Sequence, residues 1–332
     1  MKKPASEQVV AMRVALRDCL PSDTRAVVVG CSGGPDSLVL TAIASWVGQR
    51  EGFTVHAVTV DHQLQPGSAE IARVANAHAL ALGASSAEVV PVTVDQISGE
   101  GMESAARKAR RAALASVAKG NPILLGHTAD DQAETVLLRL LRGAGAHSLG
   151  AMSACDDQIH RPFLGIARTH VALAVTELLE PMGITPWSDP HNADSAYARV
   201  HMRTHLEQLR ADFGPGIVAG LVRSAQLLRA DDQALEQWAD LGIGNVEFSN
   251  DSIQGTVEVT HLLDLPEAVR TRVIRRIYEQ VVGVERESSP LTFNHVAAIN
   301  ALVTHWHGQG EVALPSGASA VREYGRLRIY RT

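Results

Sequence analysis

Residues 26–37 read Ala-Val-Val-Val-Gly-Cys-Ser-Gly-Gly-Pro-Asp-Ser, an apolar run leading at once into a glycine pair, a proline and two short polar residues. The run is brief and rich in valine, which fits a buried strand. Its continuation fits a tight turn into a helix. Gly33 and Gly34 let the backbone bend and leave N–H groups bare, and Pro35 is pre-set for a first helical turn. Asp36 and Ser37 then stand at the helix start. Uncovered N–H groups at a helix N-terminus hold anions, so Ser32 to Ser37 read as a phosphate-binding turn. The turn lacks the lysine of G-x-x-x-x-G-K-[ST], and no G-x-G-x-x-G fingerprint occurs in the chain. It is therefore neither a loop that grips a γ-phosphate for hydrolysis nor a dinucleotide site.

Outward from this turn the same alternation repeats. Apolar runs at 54–60, 88–94 and 122–126 read as three further strands, and helical spacing covers 36–47, 67–82, 103–118 and 130–141. Strand and helix alternating four times predict an α/β fold, a doubly wound parallel sheet with crossover helices. Residues 159–163 and a helix at 169–179 extend it, and the Pro/Trp/Asp/Asn-rich stretch 185–192 reads as an ordered closing loop. The expected organisation is a catalytic domain over 1–210, a helical connector over 211–255 containing an amphipathic helix at 215–239, and a small α+β domain over 256–332. In that last domain the pattern predicts a strand at 256–259, helices at 266–282 and 293–306, and a strand pair at 311–314 and 327–330.

Ligands of an open parallel sheet bind beyond the carboxyl ends of its strands. The second strand ends in Asp61-His62 and the fourth in Gly126-His127-Thr128-Ala129-Asp130-Asp131-Gln132-Ala133-Glu134. Asp131 and Glu134 are three apart near a helix start, so both carboxylates project toward the same mouth. The helix dipole alone explains an acid at Asp130 well and one at Glu134 less well.

Composition narrows the classes. The chain of 332 residues is 45% apolar and 20% charged with a net charge of −6, which excludes disorder and a protein that coats nucleic acid non-specifically. Basic stretches exist all the same, notably Arg107, Lys108, Arg110, Arg111 and Lys119 with no acid between them. No apolar run is long enough to span a membrane, and no secretory leader is visible. Cys19, Cys31 and Cys155 form no C-x-x-C pair, so a reducing, cytoplasmic setting is expected. His201/His205 and His305/His307 lack a third ligand at metal-binding spacing and read as surface or packing residues.

The strand-SGGPDS-helix unit resembles the pyrophosphate-binding loop of the N-type ATP pyrophosphatases, which cleave ATP between the α and β phosphates. Within that group, GHTADDQAETVLLRLLRGAG (126–145) is similar to the second signature of the tRNA(Ile)-lysidine synthetase family. Glu103 to Arg110 resembles its E-x-x-A-R-x-x-R helix, Arg161-Pro162-Phe163-Leu164 an R-P-L/F-L element, and Trp187 to Asn192 with Arg199 and Arg203 the close of its catalytic domain. Val200 stands where asparagine is usual, and Ala146-His147 interrupts the turn after Arg142. The resemblance implies ATP and Mg²⁺ as cofactors. Ser32, Gly33, Gly34, Pro35, Asp36, Ser37, Asp61, His62, Gly126 and His127 would bind ATP, with Asp36 also holding Mg²⁺. Asp131 and Glu134 would hold lysine, and these two with Asp36 and Arg107 would be catalytic. Arg110, Arg142, Arg199 and Arg203 would contact a tRNA(Ile) with a CAU anticodon. The implied reaction joins lysine to C2 of the wobble cytidine through an adenylated intermediate. A homodimer is compatible with this reading. A tRNA thiolation enzyme of the same fold is the alternative, although the missing cysteine pair speaks against it. A non-catalytic tRNA-binding module is a third, and it gains nothing from carboxylates at the strand ends.

Overall fold

A computed structural model describes the chain apart from residues 1–3, 64, 66, 94–101, 189–197, 250–252, 284–290 and 332 and the side chains of Met102 and Glu103. Two compact units emerge, residues 1–227 and 228–332.

The first unit opens with helix α1 (Glu7–Cys19), capped by the Ser6 side chain, whose oxygen accepts from the Val9 N–H. Then come β1 (Ala26–Gly30), α2 (Pro35–Glu51), β2 (Thr54–Asp61), α3 (Ser68–Ala81), β3 (Ser86–Pro91), α4 (Met102–Ala118) and β4 (Ile123–Leu124). The chain continues through α5 (Ala129–Leu141), α6 (Ala146–Leu149), β5 (Cys155–Asp156), β6 (Ile159–His160), α7 (Arg168–Leu178), α8 (Ala198–Phe213) and α9 (Gly216–Ile243), the last crossing the boundary between units. The sheet runs β3-β2-β1-β4-β6-β5, parallel except for β5, which turns back on β6 at one edge. The doubly wound α/β expectation is met, with β1 at the centre. Val27, Val28 and Val29 are 0–2% exposed. Full burial of such a side chain stabilises by about 1.5–3 kcal/mol, so this strand anchors the core. It packs between layers that include Leu38, Ile43 and Phe163 on one face and Leu114 and Ile123 on the other.

Three elements differ from the sequence pattern. Helix α1 is not expected from the pattern, because Arg13, Arg17 and Asp18 interrupt its apolar face. Only Val9, Met12 and Leu16 are buried, and that narrow stripe suffices against α2 and α7. The third strand runs from Ser86 to Pro91, with one further bond from the Val92 N–H to the Asp61 carbonyl at 2.9 Å, and Val94 lies outside the described residues. The fourth strand covers Ile123 and Leu124, with flanking bonds from Val28 N–H to the Pro122 carbonyl and from Leu125 N–H to the His160 carbonyl, and Gly126 then passes the Asp36 backbone so closely that a Cβ would stand 3.0 Å from its carbonyl carbon.

The second unit contains β7 (Glu247–Phe248), β8 (Gln254–Glu258), α10 (Val259–Leu263), α11 (Glu267–Val282), α12 (Phe293–Thr304), β9 (Val312–Ala313), β10 (Ala318–Glu323) and β11 (Arg326–Arg331). Its antiparallel sheet runs β7-β8-β11-β10-β9, and Val273, Ile277, Ile299 and Leu302 pack on it. The expected pairing of 311–314 with 327–330 is corrected: β10 lies between them and pairs with both. Its alternation of Ala, Ser, Ala and Val is too small and polar to read as a strand from sequence alone.

Candidate active site

The site grows from the turn after β1. Gly33 takes a φ of +81°, and its carbonyl accepts the Trp187 N–H at 2.9 Å, which pins the loop. The Ser37 hydroxyl accepts the Ser32 N–H at 3.1 Å and donates to the Gly34 carbonyl at 3.0 Å. Gly34 precedes the helix with no side-chain cap, so the first-turn N–H groups of α2 stay available to a ligand. Pro35 fills the first helical position, as expected.

This turn forms one wall of a cavity of about 660 Å³. Ser32, Asp36, Ser37, Asp61, His62, Gly126 and His127 line it, so all three segments of the expected ATP site meet in one place, joined by Asp131, expected on lysine, and Arg110, expected on tRNA. Apolar walls come from Val58, Leu114 and Leu125, a surface suited to a flat ring. Arg107, half-buried on α4, reaches His127 through its field without lining the cavity. Arg142 is exposed at the far end of α5 from Asp131, and Arg199 is half-buried in the first turn of α8. Neither lines the cavity. Asp189 to Asn192 lie outside the described residues.

Burial sets the electrostatics of the site. Asp36 is pushed up to about 6 by burial and by the neighbouring Asp131 carboxylate, and its Oδ1 is buried with no hydrogen-bond partner. An orphaned buried carboxylate oxygen beside an anion-binding turn fits a divalent cation shared with phosphate. Burial pushes the His127 imidazole down to about 3, so it is neutral at physiological pH, and its Nδ1 also lacks a partner. Burial, reinforced by the Arg110 charge, lowers His62 too. Asp61 accepts the Gln63 N–H at 2.9 Å.

Beside the cavity lies a network that sequence does not foresee. Asp131 closes a capping box with Thr128: its Oδ2 accepts the Thr128 N–H at 2.7 Å and the Thr128 hydroxyl at 2.8 Å. Its Oδ1 accepts Arg168 Nη2 at 2.7 Å. Glu134 Oε1 accepts Arg168 Nη1 at 3.3 Å and Arg203 Nε at 3.0 Å. Asp130, 1% exposed, accepts the Arg168 N–H at 2.8 Å and Arg210 Nη2 at 2.6 Å. Arg203, expected on tRNA, is thus held on Glu134. Arg168 and Arg210 carry no recognisable motif. The signal for them is the acidic run at 130–134, because buried carboxylates require cations from somewhere in the chain. The network links Asp130, Asp131, Glu134 and Glu207 through Arg168, Arg203 and Arg210, with Asp36 in its field and Arg110 on the same cavity wall.

The cysteines do not gather at the cavity. Only Cys31 borders it, and burial pushes its thiol up. Cys19 and Cys155 sit instead on His160, at 3.7 and 3.4 Å from Nδ1. His201 and His205 stack edge to face at 4.6 Å, and among the described residues neither they nor His305/His307 form a three-ligand cluster. No helix among the described residues is long and apolar enough to cross a membrane.

Fold and cavity together define a PP-loop nucleotide-binding protein. Residues 6–209 match the PP-loop domain family, and residues 258–328 match the TilS substrate binding domain. The U34-tRNA thiolase NcsA from Methanococcus maripaludis, solved with its [4Fe-4S] cluster, shares the fold with a TM-score of 0.57 at 21% identity, over 68% of this chain and 78% of its own. The tRNA(Ile)-lysidine synthase of Thermobifida fusca is 45% identical across 96% of this chain and 95% of its own length. That of Leifsonia xyli subsp. xyli is 42% identical across 92% and 89%. The chain belongs to the tRNA(Ile)-lysidine synthase family.

A PP-loop domain implies ATP binding, and one substitution tests the turn. Alanine at position 33 would hold a left-handed conformation at a cost of about 1–2 kcal/mol, with its Cβ 3.1 Å from the Ala75 Cβ. Gly33→Ala is expected to weaken ATP binding about tenfold or more in calorimetric titration, with an unchanged circular dichroism spectrum.

Proposed function

We propose that this protein is a carbon–nitrogen ligase that joins lysine to C2 of the wobble cytidine in a tRNA(Ile) with a CAU anticodon, consuming ATP and releasing AMP and pyrophosphate. The observation that carries the reading is the meeting of the SGGPDS turn, Asp36 and Asp131 in one cavity, with Glu134 one helical turn beyond, in a chain 45% identical to a lysidine synthase over nearly its full length. In this reading residues 1–210 hold the catalysis, 211–255 connect, and 256–332 help to select the tRNA in the cytoplasm. Association into a homodimer is tested by light scattering.

The chemistry requires activation, because a carbonyl oxygen leaves poorly and AMP leaves well. The cytidine C2 oxygen attacks the α-phosphate of ATP and pyrophosphate departs into the turn. There the bare N–H groups of Gly33, Gly34 and the first turn of α2 stabilise its charge. Mg²⁺ held by Asp36 would neutralise phosphate charge. Neutral His127 can accept or donate one hydrogen bond without bringing a second cation against Arg110. The lysine amine, deprotonated by Asp131 or Glu134, then forms the N–C2 bond while the C2–O bond breaks and AMP leaves with its electron pair. A thiolase reading fits less well, since Cys31 is the only thiol at the cavity and is held protonated by burial.

Incubation with ATP, labelled lysine and the CAU-anticodon tRNA tests the proposal. Label in tRNA with stoichiometric AMP and pyrophosphate is expected. AMP formation with no label in tRNA would overturn it.

A further inference from the structure

We infer that Arg168 sets the amino-acid specificity of this site, making it take an ammonium and reject a guanidinium. The inference rests on the lysine reading above and adds to it. An unoccupied pair of carboxylates one helical turn apart would attract arginine at least as well as lysine. A guanidinium makes two parallel N–H···O bonds to a carboxylate, whereas an ammonium is a compact point charge. Something in this chain must therefore remove the fork-shaped acceptor and leave only single-point ones.

Arg168 does this from the first residue of α7. Its backbone N–H is fixed on Asp130 at 2.8 Å, so its position is set by the fold rather than by a flexible stem. Its two terminal nitrogens then take Asp131 Oδ1 at 2.7 Å and Glu134 Oε1 at 3.3 Å, bridging the two acids as a free arginine would. Asp131 Oδ2 is committed to the Thr128 cap. Arg203 Nε shares Glu134 Oε1 at 3.0 Å. Two separated acceptors are left over: Glu134 Oε2, to which no donor comes among the described residues, and the second lone pair of Asp131 Oδ1 on the cavity wall. Neither offers the parallel pair of oxygens that a guanidinium takes, whereas the N–H groups of an ammonium suit them singly. A guanidinium offered these oxygens would leave N–H groups unpaired, and a site that strands buried polar groups discriminates strongly. The resident arginine is thus a built-in copy of the ligand to be excluded.

The test is competition. Labelled lysine incorporation into tRNA is measured with increasing unlabelled L-arginine for the wild-type protein, Arg168→Ala and Arg168→Gln. The wild-type protein is expected to resist arginine. In Arg168→Ala the ratio of the arginine inhibition constant to the lysine KM should fall at least tenfold, and guanidinium ion at millimolar concentration should restore it by refilling the slot. Arg168→Gln, which keeps one N–H donor and similar length, should fall between them and serves if the alanine variant does not fold. A merely structural role would lower the rate and leave this ratio unchanged. An unchanged ratio in a folded variant overturns the inference, as does a fall that guanidinium ion does not reverse. Failure of the wild-type protein to incorporate lysine would instead sink the functional reading, so the two failures are distinguishable.

Discussion

Asp36→Asn is expected to melt at a higher temperature than the wild-type protein while losing turnover about a thousandfold, the loss typical of removing one electrostatic stabiliser from an active site. The two effects have one cause. Burial and the facing Asp131 carboxylate raise the Asp36 carboxyl from 3.8 to about 6. The fold therefore favours the protonated acid, and at pH 7 the ionised form costs about 3 kcal/mol, taken as an upper figure for a site this crowded. The asparagine removes that cost. It also removes the charge that a cation would share with phosphate, a trade of stability for function common at active sites. In the wild-type protein the same group makes stability rise as pH falls from above 6 toward 4, while activity falls over that range. Thermal melts at pH 7.5 and 5.5, with rates measured beside them, check this. A lower melting temperature together with an undiminished rate would refute the role given to Asp36.

Arg210→Ala is expected to destabilise the protein by about 3 kcal/mol at neutral pH, because it strips a buried carboxylate of its guanidinium. Asp130 is 1% exposed, and the Arg168 N–H would be its only remaining partner among the described residues. Burial alone would push its carboxyl up, but the Arg168 N–H and the Arg210 guanidinium outweigh that and hold it low. A depressed carboxyl stabilises the fold above its unfolded-state value, and that contribution disappears as pH drops through the folded one. The penalty for losing Arg210 should therefore be largest at pH 7 and shrink toward pH 3. Urea unfolding at the two extremes measures it, and a penalty independent of pH would show that Arg210 acts through packing alone.

The turn, the parallel strands with their crossover helices and the cavity acids are legible in the sequence because each depends on local chemistry. Glycine, proline and short polar residues at fixed offsets specify Ser32 to Ser37, and Val-rich runs specify the buried strands. Arg168 and Arg210 are not legible. They reach the acids from 34 to 80 residues away along the chain, and nothing in their flanking sequence records that meeting. Arg203 stands out as an expected tRNA contact, but its bond to Glu134 is not legible, since an arginine on an amphipathic helix looks the same in sequence whether or not it meets a buried glutamate. Helix α1 and strand β10 escape for opposite reasons: one buries only three side chains, and the other builds its sheet face from alanine and serine.

The place of β1 in the sheet governs when the cavity can exist at all. One neighbour, β2, begins 28 residues downstream of Ala26, whereas β4 meets Val28 from Ile123, 95 residues on. On the ribosome the turn can therefore form against β2 while the strand carrying Gly126, His127 and the acids has not yet been translated. A nascent chain halted near residue 91 would own the residues of the turn but neither Trp187, which pins it, nor the groups that choose what is joined to what. The turn and the walls that complete its cavity are in this way separated in time by the chain that lies between them.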